Sequence, residues 1–253
     1  MSRKDEIRNL SKKFKLHEID TIRLNSEAEI MDLRITYSIF KATKEHLNLY
    51  DSLVKYAALK RFTRNMSANE FLLLEKRIKK VNPFSSKRTD ITKLSLELFL
   101  ISDYCQDICK HKNHKSCFDY GVWKGEGVSL HFTNVVIPKN PLKEEEFEKR
   151  QNELRRIAKN IKGNHPEIKY IFSVSWMWNL KVFQDLMPEE FNKSLKEFTE
   201  NRLYSMGHWG QFYRYDGTLD SNRIREFKHN WKFPLNTLVG KCDIKYFFRK
   251  YLD

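Results

Sequence analysis

The chain has 253 residues and a formal net charge of +14, and hydrophobic residues make up 40% of it. This length is enough for one or two domains with hydrophobic cores, and the 18 Phe, 11 Tyr and 5 Trp exclude a disordered chain. Only 8 Gly and 6 Pro exclude a collagen-like one. The positive charge indicates an acidic partner: nucleic acid, an anionic membrane surface or a phosphorylated cofactor.

The N-terminal sequence is basic but is not followed by the apolar segment of a secretory signal. The longest apolar stretches fall far short of the about 20 residues that cross a membrane. We therefore expect a cytoplasmic protein without membrane insertion.

Residues 1–112 are predicted to be helical, because apolar side chains recur at helical spacing. Ser67 and Glu70 form a capping-box pattern that opens a helix, and the pair Asn82-Pro83 ends it. The polar segment 82–90 is a candidate hinge. We expect a helical region at 1–112 and a second domain at 113–253.

A cluster of possible zinc ligands ends the helical region, with the spacing C-x3-C-x-H-x2-H-x2-C. It consists of Cys105, Cys109, His111, His114 and Cys117. The spacing matches no common zinc motif, and two thiols four residues apart on a helix are typical of buried core cysteines. We therefore expect no metal here, although the cluster leaves the question open.

After residue 115 the pattern alternates between strands and helices. The predicted elements are strands 118–122 and 128–137 joined by the Gly-containing turn 124–127, a helix at 142–161, a strand at 168–175, short helices at 180–186 and 188–196, a strand near 198–205, and helices near 219–228 and 243–251. The fold class is therefore α+β or α/β, with a helical N-terminal region followed by a mixed sheet flanked by helices.

Three segments carry candidate chemistry. The first is the turn 138–141 between a strand and a helix, where unpaired helix amides and Lys139 and Lys143 favour an anion, although most such turns are only connections. The second is the polar and aromatic segment 173–179 at a strand end, where ligand crevices commonly form; core aromatics at a strand end are an equal alternative. The third is the segment 206–212, in which His208 is either a proton carrier or, more commonly, a structural histidine.

Several familiar signatures are absent from the sequence: the phosphate loop of NTPases, the dinucleotide-binding glycine motif, H-E-x-x-H and G-x-S-x-G. The order of short boxes nevertheless resembles that of poorly characterised bacterial proteins with a GNAT-like acyltransferase domain, over residues 115–253. The boxes are His131…Ile137-Pro138, Pro141-Leu142, Ser175-Trp176, Phe183…Leu186-Met187-Pro188, Trp209-Gly210-Gln211-Phe212 and Phe233-Pro234.

This resemblance implies a GNAT-like mixed sheet and an acyl-CoA co-substrate. The loop after the fourth strand would hold the pyrophosphate through backbone amides, and the next strand would diverge to admit the pantetheine arm. The residues in these places are Ile137, Lys139, Asn140, Leu142, Lys143, Trp176 and Asn179. The usual Q/R-x-x-G-x-G/A loop is missing, and Pro138 and Pro141 carry no amide hydrogen.

The activity so implied is acyl transfer to an unidentified amine, on a small molecule or a peptide. Ser175 is the candidate for polarising the thioester carbonyl or protonating the thiolate. Glu126, His131 and His208 are the candidates for removing the amine proton.

Two alternatives stay open. One is a non-catalytic nucleic-acid-binding protein, because residues 1–90 hold 20 Lys and Arg against 12 Asp and Glu. Their basic runs are Lys12-Lys13, Lys60-Arg61…Arg64, Lys76-Arg77…Lys79-Lys80 and Lys87-Arg88. The other is a helical interaction protein, and for the basic runs themselves we favour a solvated helix surface over either partner.

Overall fold

A computed structural model describes residues 3–57, 59, 63, 66–81, 88–109, 116–199 and 206–253. The fold is α+β, with helices in the N-terminal part and an open five-stranded mixed sheet in the C-terminal part, which confirms the predicted class. The chain forms two compact units: a helical unit of residues 1–112, 200–205 and 217–231, and a sheet unit of residues 113–199, 206–216 and 232–253. The predicted division into a helical region at 1–112 and a domain at 113–253 stays a prediction.

The helices of the described residues are numbered in chain order. They are α1 (Arg3–Lys13), α2 (Glu18–Glu45), α3 (Leu49–Tyr56), α4 (Ala68–Lys80), α5 (Arg88–Ile101), α6 (Asp103–Cys109), α7 (Glu144–Asn164), α8 (Lys181–Gln184), α9 (Glu189–Lys193), α10 (Met206–Trp209), α11 (Ser221–Asn230) and α12 (Ile244–Leu252). The strands are β1 (Phe118–Trp123), β2 (Gly127–Phe132), β3 (Tyr170–Ser175), β4 (Lys196–Glu197) and β5 (Leu238–Asp243). Among these helices, none is both long enough and apolar enough to cross a bilayer.

The long helix α2 organises the helical unit, because its apolar positions recur every three or four residues and pack against α1, α3 and α5. The predicted capping box at α4 is confirmed: Ser67 Oγ accepts from the Glu70 amide at 3.3 Å, and Glu70 Oε2 accepts from the Ser67 amide at 2.8 Å. The hinge expected at 82–90 lies largely outside the described residues.

Helix α11 belongs to the helical unit although it lies near the C-terminus of the chain. Its buried Phe227 contacts the Tyr37 ring at a centroid distance of 5.3 Å, and Trp231 stacks on Phe40 at 5.1 Å. Asp220 caps the helix by accepting from the amides of Asn222 and Arg223. The sequence predicts this helix to within about two residues, but not the partner on which it packs.

The sheet has the order β1-β2-β3-β5-β4. β1 and β2 form an antiparallel hairpin whose turn contains Lys124 and Gly125, both at positive φ, as the glycine-rich sequence predicts. β2 and β3 are parallel, with α7 between them in the chain, and β3 pairs antiparallel with β5.

The second strand is shorter than predicted. It ends at Phe132 instead of Ile137, because its partner β1 begins at Phe118 and the last ladder-like bond joins the Thr133 amide to the Cys117 carbonyl at 2.8 Å. The box Ile137-Pro138 therefore lies in a loop and not at a strand end.

The predicted helix 188–196 is also too long. α9 ends at Lys193, where the Ser194 hydroxyl donates to the Phe191 carbonyl, and residues 196–197 form the edge strand β4. The strand expected near 198–205 is wrong at residues 198–199, which follow β4 without strand structure, and residues 200–205 lie outside the described part of the chain.

Candidate functional site

The candidate site is the place where β2 and β3 separate. Their parallel pairing covers only the first half of each strand and stops at Ser129 and Phe172. Beyond that point β2 stays paired with β1 as far as Phe132, and β3 stays paired with β5 as far as Ser175. The facing edges of the two carboxyl-terminal halves are therefore not paired with each other, and we call the place between these edges the gap.

Among the described contacts, one side-chain hydrogen bond crosses the start of this gap. The buried Ser173 hydroxyl donates to the Leu130 carbonyl at 3.0 Å. This bond replaces the ladder bond that the separating strands no longer form, and so the Leu130 carbonyl remains satisfied.

Ser175 ends β3 and lies half-buried beside the gap. Its Oγ accepts from the Met177 amide at 3.1 Å and caps a 3₁₀ turn at Trp176–Asn179. Because the oxygen is used as an acceptor, the hydroxyl hydrogen remains for donation to a ligand. Asn179 is committed to structure, because its Nδ2 donates to the carbonyls of Trp176 and Asn236 at 2.6 and 2.8 Å.

His208 lies at the same end of the sheet, in α10, which packs against β3. It is 6% exposed, and its Nδ1 is 2.9 Å from Thr237 Oγ1. Thr237 Oγ1 also donates to the Gly207 carbonyl at 2.8 Å, so its only hydrogen is used there. Nδ1 of the neutral ring therefore carries the proton and donates to Thr237, while Nε2 is the basic nitrogen.

The loop that follows β2 folds back on itself. Asn134 Oδ1 accepts from the Val136 amide at 3.0 Å, and Asn140 Oδ1 accepts from the Leu142 amide at 3.0 Å. The Lys139 and Lys143 amides donate to carbonyls within the loop at 2.8 and 3.3 Å. These bonds commit most of the amides that the resemblance assigns to a pyrophosphate, whereas the side chains of Lys139 and Lys143 are exposed.

A buried ionic network, not foreseen from the sequence, lies behind this loop on α7. Arg150 is 3% exposed and pairs with Glu153 at 3.0 Å and with Glu146 at 3.7 Å. Glu153 Oε2 also accepts from the amides of Cys117 and Phe118 at 3.0 and 3.2 Å.

Arg150 Nη1 also donates to the thiol of Cys117. Burial raises the pKa of this thiol above its ordinary value, since the charged form is poorly solvated there. One feature of the sequence indicates this network. Glu146, Arg150 and Glu153 continue the buried helical stripe of Ile157 and Ile161.

The structure brings some predicted residues together and separates others. Ser175, Trp176, Asn179 and His208 lie at the carboxyl end of β3. Glu126 lies at the opposite end of the sheet, where it pairs with Lys169 at 2.9 Å. The length of β2, about 16 Å, separates it from the carboxyl end of that strand.

His131 projects from the opposite face of the sheet to Ser173 and Ser175. Side chains alternate along a strand, and Leu130 shares the face of Ile171 and Ser173, whereas His131 is exposed on the other side. Of the possible zinc ligands, His111 and His114 lie outside the described residues, and the cysteines at 105, 109 and 117 are buried free thiols. The described residues contain no cluster of His, Cys, Asp and Glu with metal-ligand geometry.

Comparison with known proteins identifies no relative. No family model matches the chain, and neither the curated proteins nor the solved structures contain a match.

Proposed function

We propose that this protein is an acyl-CoA-dependent N-acyltransferase that acts on an amine. The observation that carries the proposal is the early end of the β2–β3 pairing, between parallel strands that are connected through α7. The resemblance drawn from the sequence implies that these two strands diverge in this way. Polar groups at the carboxyl ends of parallel strands are also a common location of ligand sites.

The gap suits an extended arm that carries amide groups. Where two strands separate, backbone groups on their facing edges are available to a third extended chain, which can pair with them as an added strand does. The pantetheine arm has this character. Its thioester end would lie near the carboxyl end of β3, where the Ser175 hydroxyl has a hydrogen to donate.

The phosphate end would depend on side chains more than on backbone amides. The loop amides of Lys139, Leu142 and Lys143 are bonded internally, so the exposed ammonium groups of Lys139 and Lys143 become the main donors. The acidic first turn of α7 opposes an anion on that side. We therefore expect weaker phosphate recognition than a glycine-rich loop provides.

The reaction is direct transfer. The amine nitrogen attacks the thioester carbonyl, the new C–N bond forms, the C–S bond breaks, and the thiolate of CoA takes a proton. Ser175 donates to the carbonyl oxygen or supplies this proton. The two histidines near this end of the sheet are His208 and His131, and His208 lies in the region of Ser175. The pH profiles of the variants His208→Gln and His131→Gln identify the histidine that accepts the amine proton.

The binding test compares acetyl-CoA with acetyl-pantetheine by isothermal titration calorimetry. We expect both to bind. The variant Lys139→Gln/Lys143→Gln should lower the affinity for acetyl-CoA by about tenfold and leave the affinity for acetyl-pantetheine unchanged. The control variant Lys159→Gln/Lys162→Gln removes the same charge from the other end of α7. If neither ligand binds, nor longer acyl-CoAs, the acyltransferase proposal is wrong.

The catalytic test measures release of free CoA with a panel of amines. We expect Ser175→Ala to lower kcat by about 10²-fold with little change in the affinity for acetyl-CoA. Ser194→Ala is the control, since Ser194 bonds the Lys241 amide on the far side of β5. Equal activities of the two variants would remove Ser175 from the mechanism.

A further inference from the structure

Two adjoining hollows lie on the surface of the helical unit, one on each side of the N-terminal half of α2. The first, about 620 Å³, lies between α1 and α2, and the second, about 550 Å³, lies between α2 and α11. Asn25 lines both, so the hollows are adjacent at this exposed side chain, and we call the two together the α2 groove. It joins residues from the two ends of the sequence within one compact unit.

The two outer walls of the α2 groove are basic. Lys4, Arg8 and Lys12 are spaced four residues apart and therefore line one face of α1. Arg225 and Lys228 project from one face of α11. All five side chains belong to exposed residues, and none forms an ion pair within the described part of the chain.

Acidic side chains barely offset these cations. Glu29 is the carboxylate among the described residues that line the groove, and it is already paired with Arg3 at 3.0 Å. Five cations against one engaged carboxylate give the groove a positive potential. The density of charge is thus produced by the fold and is not visible as a run in the sequence, because Arg225 and Lys228 come from a distant segment.

The floor of the groove offers neutral hydrogen-bonding groups. Ser11, Thr21, Asn25 and Ser221 carry hydroxyl or amide groups there. The described lining includes no aromatic ring on which a base could stack. Cationic walls and a polar floor match a chain of phosphodiesters contacted through its backbone, not through its bases.

We propose that the α2 groove binds the phosphodiester backbone of nucleic acid without base selectivity. Each phosphate contact releases condensed counterions, so the affinity falls with salt. For five contacts to a single strand the slope of log K against log salt is about −3.5, which is about a 100-fold loss of affinity between 50 and 200 mM salt. This site is independent of the proposed acyltransferase site, which lies in the sheet unit.

The experiment measures binding of the full chain to fluorescent oligonucleotides of about 20 nucleotides, as single-stranded DNA, single-stranded RNA and duplex DNA, across that salt range. The α1-wall variant Lys4→Gln/Arg8→Gln/Lys12→Gln keeps helix-forming residues at exposed positions. With two cations left, we expect a slope of about −1.4 and only about a sevenfold loss over the same range. The α11-wall variant Arg225→Gln/Lys228→Gln should reduce the slope by about 1.4.

A matched control separates the groove from net charge. Arg155→Gln/Arg156→Gln/Lys159→Gln removes three exposed cations from α7 in the sheet unit and should leave the slope unchanged. Equal losses in the control and the α1-wall variant would overturn the proposal, as would an absence of binding to every oligonucleotide. Binding to vesicles containing anionic lipid, without binding to any oligonucleotide, would also overturn it. Circular dichroism confirms that each variant is folded.

Discussion

Each unit of the molecule contains a network of carboxylates and cations, and the two differ in their access to water. In the helical unit, Glu45 bonds Lys41 at 2.6 Å, Lys55 at 2.9 Å and the Tyr56 hydroxyl at 2.5 and 2.6 Å. Its side chain is 26% exposed. In the sheet unit, Arg150 and its carboxylate partner Glu153 are only 3% and 6% exposed.

This difference decides what each network contributes. Water partly solvates the groups around Glu45, so losing one partner leaves the others and the solvent to compensate. Water cannot compensate for a lost partner of Arg150 in this way, because two carboxylates and a thiol surround it inside the core. A buried pair adds little net stability when it is intact, but removing one member leaves an uncompensated charge.

The largest effect is therefore expected for Arg150→Met, which keeps much of the side-chain volume and removes the charge. We expect a loss of about 3–5 kcal/mol in the free energy of unfolding, because Glu153 is left buried without its cation, while Glu146 keeps its contact with Lys149. Urea denaturation followed by tryptophan fluorescence measures it in the sheet unit, which contains Trp123, Trp176, Trp178 and Trp209.

A compensating variant tests the reason for that loss. Arg150→Met/Glu146→Gln/Glu153→Gln removes all three charges, and we expect it to recover part of the stability, since neutral amides are cheaper to bury than unpaired carboxylates. If the triple variant is no more stable than Arg150→Met, packing and not charge explains the effect.

The sequence predicts local structure well and these networks poorly. The capping box of Ser67 and Glu70 and the turn at Lys124 and Gly125 follow from neighbouring residues, and the structure contains both. The burial of Arg150 depends on β1, which approaches from elsewhere in the chain and supplies the amide of Phe118 to Glu153. From the sequence alone, a charged residue on a helix is expected to face solvent, because the approach of a distant strand is not known.

The candidate site shows the same limit. A strand ending at Ser175 is predicted from its apolar run, and it is observed. Only the resemblance implies the gap, and local residue patterns do not predict it, because it depends on where the pairing of two distant strands stops. The placement of Glu126 at the far end of the sheet, by contrast, follows from the predicted turn 124–127, because this turn precedes β2 and therefore lies opposite its carboxyl end.

An intermediate effect is expected from pH at Glu45. Hydrogen bonds and charge from Lys41, Tyr56 and Lys55 outweigh burial and lower the pKa of this carboxyl from its ordinary 4.5 to about 2. Because the folded pKa lies below the unfolded one, the stabilisation is complete above pH 4.5 and is lost as the pH falls towards 2. Since the network is partly exposed, we expect it to be about 1 kcal/mol.

The measurement compares the wild type with Glu45→Gln by urea unfolding at pH 7, 4 and 2.5, followed by circular dichroism at 222 nm. The difference in unfolding free energy should shrink as the pH falls, while other carboxyl groups titrate equally in both proteins and cancel. A difference that stays constant down to pH 2.5 would mean that the carboxyl group of Glu45 is not stabilised in its ionised form.

The smallest effect, and the closest comparison of the two regions, comes from two lysines with similar contacts. Lys55 bonds Glu45 at 2.9 Å, and Lys149 bonds Glu146 at 2.8 Å, but the side chain of Glu45 is 26% exposed and that of Glu146 only 6%. Lys55→Met should cost only about 0.3 kcal/mol, because Lys41 and Tyr56 remain on Glu45. Lys149→Met should cost more, because Glu146 then retains only Arg150 at 3.7 Å within the described residues.

Urea midpoints of the two variants at neutral pH show which loss of stability is larger. Salt at 1 M should reduce the difference between the two losses less than it would if both ion pairs were exposed. Equal losses would show that the exposure of the carboxylate does not set the strength of these contacts, and the contrast between the two networks would then lose its physical basis.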